Sequence, residues 1–307
     1  MQVIWQRAGQ LKKTGPCVVT IGNFDGVHLG HQHLLRHLKK LAHAKGLMPG
    51  VLTFRNHPRS VLNPEVRLGY VSPIAERVSL IKDQGIDLVV CIDFTREFSL
   101  TRAPDFVTLL VKRLRMRGLL AGPGFALGHQ REGDLPTLRR LGAEHGFWVE
   151  VVEPFSSDDA IINSSGIRKL ISQGNVEKAG ALLGRNHSLT GKVVEGDRRG
   201  RDLGFPTANL SMDEDVIIPG DGIYATWAIV DGRRFQAATN VGVRPTFGVS
   251  GRTIEAYILD FDEDIYGKQV TLEFVRRVRD EVAFPDVEAL VAQMKLDVDT
   301  ARVILSG

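Results

Sequence analysis

Two histidines, His28 and His31, lie three positions apart at a point where a predicted strand leads into a predicted helix. Residues 18–21 before them form an apolar, β-branched run, and leucines after them recur at helical spacing until Gly46. At a corner of this kind, backbone N–H groups and the positive end of the helix dipole converge on an anion. The imidazoles would add hydrogen-bond donors where charge develops, so the pattern indicates phosphate chemistry. Close backbone approach is allowed by three glycines, Gly22, Gly26 and Gly30.

Taken alone, a histidine pair at this spacing would be half a metal site or two polar residues in a helix's first turn as often as a phosphate-binding pair. The segment from Gly22 to His31, Gly-Asn-Phe-Asp-Gly-Val-His-Leu-Gly-His, resembles the His-x-Gly-His signature of the nucleotidyltransferase superfamily. With its Gly-x-Phe-Asp-Gly start, it resembles the FMN adenylyltransferase half of bacterial bifunctional FAD synthetases. The resemblance implies that both histidines are catalytic. The nucleotide-binding residues that it implies here are Gly22, Phe24, Asp25, Gly26 and Gly30.

Two further segments resemble the same family. The first contains His57 and Pro58 after a predicted strand, and the family usually has a proline where Asn56 stands; both residues favour turns. The resemblance implies that His57 and Pro58 bind flavin, although His57 alone would more often be an ordinary loop histidine.

The second segment, residues 162–168, reads Ile-Asn-Ser-Ser-Gly-Ile-Arg and would open a late helix. Hydroxyls at a helix N-terminus cap it or bind phosphate oxygens, and an arginine one turn on can bind phosphate in bidentate fashion. The resemblance implies that Ser164 and Ser165 bind nucleotide and that Arg168 is catalytic. Without the other motifs, a serine cap followed by a solvent-facing arginine would be the better interpretation.

The loop Ala121–Gly128 departs from the family, because Gly124 occupies a position that usually carries Asp or Asn and belongs to the adenylylation site. One consequence of this departure would be weaker adenylylation of FMN than is typical of the family. The same glycines could suggest a dinucleotide-binding fingerprint, but their spacing and the charged residues that follow them argue against it.

A second candidate site surrounds the sequence Pro206-Thr207-Ala208-Asn209. A hydroxyl and an amide two residues apart along a strand present oxygens to the same side, which suits a Mg²⁺ ion that bridges ATP phosphates. Taken alone, this tetrapeptide would more often be a turn. Within residues 188–297, it resembles the riboflavin kinase domain.

That resemblance implies a role for each matched residue. Thr207 and Asn209 would hold Mg²⁺ and nucleotide, and Glu255 would be the general base; an exposed strand carboxylate is the alternative for Glu255. Arg279 and Glu281 would contact the flavin. The remaining nucleotide-binding positions are Gly196, Gly200 and Pro206.

The elements that must position these residues fall into two patterns. Up to about Gly184, apolar strands near residues 51–54, 88–94, 119–122 and 148–152 alternate with helices that include 74–84 and 103–117. This alternation predicts a Rossmann-like parallel α/β sheet, with ligands beyond the carboxyl ends of its strands. After Gly184, β-type runs near residues 189–195, 222–230, 235–241, 254–261 and 270–275 predict a small antiparallel barrel, closed by a helix at 285–305. The predicted domains are residues 1–184 and 185–307.

Composition sets broad limits on the function. The chain has 307 residues, 43% hydrophobic and 24% charged, which suits two globular domains. A formal charge of +3 does not by itself suggest nucleic acid, and the basic residues near 112–117 are expected to complement a helix dipole. Cys17 and Cys91 lie in apolar runs and are expected to be free, buried thiols. Without a signal-type or membrane-spanning apolar segment, the chain is expected to be a soluble cytoplasmic protein without a membrane partner.

Together, the resemblances to the FMN adenylyltransferase and riboflavin kinase domains imply a bifunctional enzyme that phosphorylates riboflavin to FMN with ATP and then adenylylates FMN to FAD. Its partners would be the small molecules ATP, riboflavin and FMN, while the sequence leaves the oligomeric state open. Two alternatives remain at this point. One is a riboflavin kinase whose adenylyltransferase domain is weak because of Gly124, and the other is a flavin- or nucleotide-sensing module without turnover.

Overall fold

A computed structural model describes residues 2–6, 11, 13–66, 68–157, 160–196, 203–212, 215–243 and 252–306. The chain divides into two compact units. The first comprises Met1–Leu68 and Ser72–Asn163, and the second comprises Gly69–Val71 and Ser164–Gly307. The predicted boundary between the two functional domains, at residue 184, stays a prediction.

The first unit is built on a parallel sheet. Its strands are β1 (Gln2–Gln6), β2 (Cys17–Ile21), β3 (Met48–Phe54), β4 (Leu88–Ile92), β5 (Met116–Ala121) and β6 (Trp148–Val151). Its helices are α1 (Leu29–Ala44), α2 (Pro58–Leu62), α3 (Ile74–Asp83), α4 (Arg96–Ser99), α5 (Ala103–Arg113) and α6 (Leu135–His145), and a two-stranded ribbon is formed by β7 (Ser156–Ser157) and β8 (Ala160–Ile161). All residues of β2 and β4 are buried, as expected for parallel strands whose two faces are both covered.

The order of the strands determines where a ligand can bind. The strand order in the sheet is β1-β4-β3-β2-β5-β6. After β2, the chain adds β3 and β4 on one side of β2 and then adds β5 and β6 on the other side. In parallel α/β sheets, ligands bind at such a reversal, outside the carboxyl ends of the strands. The loops after β2 and β5 border this point, and they carry the histidine motif and Gly124 respectively.

The second unit is a closed antiparallel barrel with the strand order β10-β13-β12-β11-β14-β9. Its strands are β9 (His187–Val194), β10 (Thr207–Ser211), β11 (Gly222–Val230), β12 (Arg233–Val243), β13 (Arg252–Ile258) and β14 (Gln269–Arg279). Its helices are α7 (Ser164–Ser172), α8 (Val176–Leu183) and α9 (Val287–Ser306). Along β13, the buried residues Ile254, Ala256 and Ile258 alternate with less buried ones, so Glu255 and Tyr257 face the outside of the barrel.

The structure confirms the predicted fold class and corrects two details. Helix α5 ends at Arg113 rather than Arg117, because Arg115 takes a left-handed backbone conformation (φ 50°) and Met116 already begins β5. The basic residues Arg115 and Arg117 therefore do not complement the dipole of α5. The barrel is closed by its own strands, and α9 packs on its outer face through Ala301 and Leu305 against Ala225 and Ala238.

Both cysteines are free and buried, as predicted. Burial raises the pKa of each thiol to about 12, so they are protonated near neutral pH. No helix in the described ranges is long and apolar enough to span a bilayer.

Candidate active sites

The loop between β2 and α1 has an unusual backbone. Phe24 and Val27 have positive φ angles of 50° and 41°, and between them Gly26 has a φ of 79°. A β-branched residue with positive φ is rare and costs energy, which the surrounding structure must offset. Such strained residues concentrate at functional sites, so this loop is a candidate site on conformational grounds as well as by its motif.

A buried polar network holds this loop in place. The Asp25 carboxylate accepts a hydrogen bond from the Ser72 N–H at 3.1 Å, and the Ser72 hydroxyl accepts one from the Gly26 N–H at 2.9 Å. Arg77 of α3 lies 3.7 Å from Asp25 and donates to the carbonyl oxygens of Phe54 and Ser72. The loop is thereby tied to α3 and to the end of β3.

Two of the predicted nucleotide-binding residues, Phe24 and Asp25, have buried side chains, since only 2% and 1% of their surfaces are exposed. Phe24 packs in the apolar cluster under α1, and Asp25 is engaged by Ser72 and Arg77. Both side chains support the loop from below, and nucleotide binding at these two positions stays a prediction.

His28 is the N-cap of α1, and its hydrogen bond determines which ring nitrogen carries the proton. Its Nδ1 accepts from the His31 N–H at 3.3 Å, so the proton of the neutral ring is on Nε2. Only 4% of His28 is exposed, and burial lowers its pKa to about 4 despite the nearby Asp25 carboxylate. Near neutral pH, His28 is an uncharged hydrogen-bond donor.

The His31 ring stacks on the His28 ring, with 3.7 Å between centroids and 19° between planes. Burial holds the pKa of His31 well below its usual range, and His28 and Arg77 lower it further. Its Nδ1 is buried and has no hydrogen-bond partner in the described part of the chain. Both histidines predicted to act in catalysis thus lie together as neutral rings, and one presents an unused polar atom.

Two of the predicted glycines lie close to aromatic rings of the motif. A Cβ on Gly30 would lie 3.2 Å from Nδ1 and Cε1 of His28. A Cβ on Gly22 would lie 3.2 Å from the Phe24 ring. At both positions, a side chain would press on a ring of the motif.

His57 and Pro58 lie where β3 leads into α2. His57 is the N-cap of α2 and accepts from the Arg59 N–H through Nδ1, while its Nε2 lies 3.1 Å from the Asn23 amide. Pro58 occupies the first helical position, where a missing N–H costs nothing. The structure therefore connects His57 to the histidine-motif loop through Asn23.

Asn56, which replaces the proline typical of the family, has a structural role. Its amide donates to the Phe94 carbonyl at 2.7 Å, and its Oδ1 accepts from the Phe94 N–H at 2.8 Å. This pair of bonds ties the loop after β3 to the loop after β4.

Gly124 lies in the loop after β5, where a Cβ would meet no atom within 4 Å. Its carbonyl accepts a hydrogen bond from Arg131 at 2.8 Å, which keeps this basic residue beside it. The position thus offers open space at the predicted adenylylation site and supplies no side chain.

Ser164, Ser165 and Arg168 lie in the first turns of α7, as the sequence predicted for residues that open a late helix. Helix α7 belongs to the second unit, whereas His28 and His31 belong to the first. Their juxtaposition with the histidines stays a prediction.

In the barrel, strand pairing brings the predicted kinase residues together. Thr207 of β10 pairs with Tyr257 of β13, and Asn209 pairs with Glu255. Paired residues of neighbouring strands point to the same face, with their Cβ atoms about 5 Å apart. A hydroxyl, an amide and a carboxylate therefore share one patch on the outside of the barrel.

Two cavities meet at this patch. One, of about 500 Å³, lies between the barrel and α9 and is lined by Glu255, Arg279 and Glu281 among others. The other, of about 470 Å³, is lined by Gly196, Pro206 and Asn209 together with the segment Asp262–Tyr266. Thr207 lines both cavities, so a ligand in either one would reach it.

Arg279 forms an ion pair at the wall of the larger cavity. Its guanidinium forms a bidentate ion pair with Asp297 of α9 at 2.8 and 2.7 Å, and its plane lies over Phe284. Gln293 also donates to Asp297 at 2.9 Å. Arg279 therefore fixes α9 to the barrel at the cavity wall, while Glu281 lines the same cavity.

The side-chain oxygens that line the smaller cavity suit a divalent ion that arrives bound to a nucleotide. Thr207 and Asn209 offer neutral oxygens, and the described residues contain no cluster of three His, Cys, Asp or Glu that could hold a metal by itself. Mg²⁺ is usually bound in this manner, through few protein oxygens together with substrate phosphates and water. Gly196 leaves room beside Asn209, since a Cβ there would overlap the Asn209 amide. Gly200 lies outside the described residues.

The sequence analysis assigned no role to three residues of these sites. Ser72 and Arg77 support the histidine loop from elsewhere in the chain, and Asn240 lines the larger cavity. A polar residue in the apolar run of β12 was an available signal for Asn240. No local pattern marks Ser72 or Arg77, because their partners are distant in sequence.

The chain matches two family models, described as FAD synthetase over residues 10–166 and riboflavin kinase over residues 183–305. A bifunctional riboflavin kinase/FMN adenylyltransferase from Listeria monocytogenes is 35% identical, with 94% of this chain and 92% of the relative covered. The enzyme of that name from Haemophilus influenzae is 34% identical, with 95% of each covered. The crystal structure of a protein named macrolide-efflux protein from Streptococcus pneumoniae has a TM-score of 0.92 at 31% identity, covering 98% of this chain and 99% of that one.

Proposed function

Because this chain belongs to the family of bifunctional riboflavin kinase/FMN adenylyltransferases, we propose that it converts riboflavin to FMN and FMN to FAD, using ATP in both steps. The observation that carries the proposal is the patch of Thr207, Asn209 and Glu255, which lies where two cavities meet. One cavity is suited to a flavin and the other to a nucleotide.

In the kinase step, the Glu255 carboxylate takes the proton of the terminal ribityl hydroxyl of riboflavin. The hydroxyl oxygen then bonds to the γ-phosphorus of ATP, and the bond from that phosphorus to the β,γ-bridging oxygen breaks, which gives FMN and ADP. Most of the rate acceleration in such transfers comes from positioning and charge neutralisation. The barrel supports the positioning, since it places Glu255 next to Thr207 and Asn209.

Thr207 and Asn209 would hold the Mg²⁺ ion that accompanies ATP. When bound, this ion neutralises charge on the phosphates and helps to orient them. Thr207 and Asn209 also position the nucleotide relative to Glu255, because all three lie on one face of two paired strands.

In the adenylyltransferase step, a phosphate oxygen of FMN bonds to the α-phosphorus of a second ATP, and pyrophosphate leaves. FMN supplies the nucleophile, so the protein needs only to stabilise charge. His28 contributes as a neutral donor through Nε2–H, because its Nδ1 is occupied by the His31 N–H. His31, Ser164, Ser165 and Arg168 contribute further donors, and His57 and Pro58 contact the flavin.

The test is to incubate the protein with riboflavin, ATP and MgCl₂ and to separate riboflavin, FMN and FAD by chromatography. The wild-type chain is expected to form FMN and then FAD. Glu255→Gln is expected to lose FMN formation by at least a hundredfold, the usual contribution of a general base, and to retain FAD formation from added FMN. Riboflavin binding without any product would contradict the proposal and would indicate a flavin-sensing module.

A second candidate function is favoured by Gly124. Since this position supplies no side chain, the chain would act chiefly as a riboflavin kinase with slow adenylylation. Accumulation of FMN with little FAD in the same assay would support this alternative.

A further inference from the structure

Asn240 of β12 occupies a central place in a row of side chains that crosses the barrel. It pairs with Ile223 of β11 on one side and with Glu255 of β13 on the other. The row continues from Glu255 to Asn209 of β10 and from Ile223 to Arg279 of β14. Glu255 is thus flanked by two amides, with Asn209 at the smaller cavity and Asn240 at the larger one.

The side chain of Asn240 has an unused hydrogen-bonding atom. Its Oδ1 is buried and has no partner in the ranges that the structure describes, although Asn240 lines the larger cavity. A buried polar atom without a partner destabilises the fold, and such atoms in native proteins call for an explanation such as a ligand. The cavity provides the space for one.

The chemistry of the cavity indicates which ligand group would reach this amide. Apolar side chains, including Ile223, Leu290 and Met294, line the part of the cavity next to α9, whereas Asn240 and Glu255 supply polar groups from neighbouring strands. A hydroxyl both donates and accepts, so it can pair with either atom of an amide. The fitting ligand has an apolar body and a chain with adjacent hydroxyls.

We propose that Asn240 binds a ribityl hydroxyl of riboflavin next to the hydroxyl that is phosphorylated, and thereby aims the reacting hydroxyl at Glu255. This inference rests on the proposed kinase function. Neighbouring strands are about 4.8 Å apart, a spacing that successive hydroxyls of a polyol chain can bridge. Asn240 is then a substrate-binding residue, and Glu255 remains the base.

The test compares two flavins on the full-length chain. The binding of riboflavin and of lumiflavin, which has the same ring system without the hydroxylated chain, is measured by flavin fluorescence for the wild type and Asn240→Ala. The Kd for riboflavin is expected to rise about tenfold, the effect of one lost hydrogen bond. The Kd for lumiflavin is expected to stay the same.

Gln236→Ala is the matched control, since Gln236 lies on the same face of β12 and does not line the cavity. Steady-state kinetics add an independent readout. Asn240→Ala should raise the KM for riboflavin and leave the KM for ATP unchanged, whereas Gln236→Ala should change neither.

Two results would overturn the role of Asn240, provided that the wild type forms FMN. One is an equal rise in the Kd for riboflavin and for lumiflavin in Asn240→Ala, and the other is an unchanged Kd for riboflavin. A wild type that forms no FMN would overturn the kinase function itself and the inference with it.

Discussion

At the scale of single residues, the histidine motif works with neutral imidazoles. His28 has its Nδ1 occupied by the backbone of α1, and its pKa is lowered to about 4. A neutral ring in a fixed tautomer presents a donor whose position does not change when charge develops on a phosphate. Preorganised donors of this kind contribute most of the electrostatic stabilisation in many enzymes.

This arrangement predicts the effect of His28→Asn. Asparagine is a good N-cap and can accept from the His31 N–H, so α1 should keep its start. The Nε2 donor is lost, however, and FAD formation from FMN should fall by about a hundredfold or more. Quantifying FAD by chromatography, with FMN formation from riboflavin as the internal control, checks this. An equal loss of both activities would mean that the substitution disturbs the fold as a whole.

Gly124 gives a second prediction at this scale. A side chain there meets open space, so Gly124→Asn should fold normally and supply the group that this position lacks. We expect faster FAD formation at an unchanged rate of FMN formation. Gly122→Asn is the matched control, because a Cβ at Gly122 in the same loop also meets nothing within 4 Å. If Gly124→Asn brings no gain, the glycine does not limit the adenylylation step.

At the scale of secondary-structure elements, α3 holds the histidine loop in place from beneath. Arg77 of this helix is 2% exposed and pairs with the equally buried Asp25 beneath the histidine loop. Removing one partner of a buried pair leaves the other charge without compensation. The strained loop thus depends on a residue about fifty positions away in sequence.

Arg77→Met should therefore lower the free energy of unfolding by about 3–5 kcal/mol. Urea denaturation measures this directly. Arg55→Met serves as the control, since Arg55 forms a half-exposed pair with Asp93, and its loss should cost about 0–1 kcal/mol. A similar, small effect for both variants would show that the buried network does not stabilise the unit.

The same elements explain how much the sequence could predict. Strands β3, β4 and β6 were predicted within a few residues, because buried apolar runs mark them. The end of α5 was placed too late, since only the backbone conformation of Arg115 stops the helix there. Strand β1 and helix α8 were missed, although the apolar centre of β1 and the capping residues Asn175 and Gly184 of α8 are local signals for them. In the sites, motif residues were predictable, whereas Ser72 and Arg77 depend on tertiary neighbours.

At the scale of the whole molecule, the stability of the first unit depends on pH through its two buried histidines. His28 and His31 lie in the first unit, and burial depresses the pKa of both. Between the unfolded pKa of about 6.5 and the folded value of about 4, the unfolded state binds more protons at His28. Stability therefore falls as the pH is lowered through this window.

For His28 alone, the loss should amount to about 2 kcal/mol between pH 7 and pH 5. Thermal or urea unfolding of the wild type and of His28→Asn at several pH values measures it. The variant keeps the cap and does not titrate, so its stability should depend less on pH over this window. If the free energy of unfolding changed equally with pH in the two proteins, the assignment of a depressed pKa to His28 would be contradicted.

The meeting of two cavities at Thr207 has a consequence for the design of inhibitors. Because each cavity has its own lining and only this threonine, among the described residues, borders both, a compound that fills one of them leaves the other accessible. A single molecule that joins a flavin-like ring to a nucleotide through a short linker at Thr207 would span both chambers. Such a bisubstrate compound would gain the contacts of two ligands while losing the translational freedom of only one.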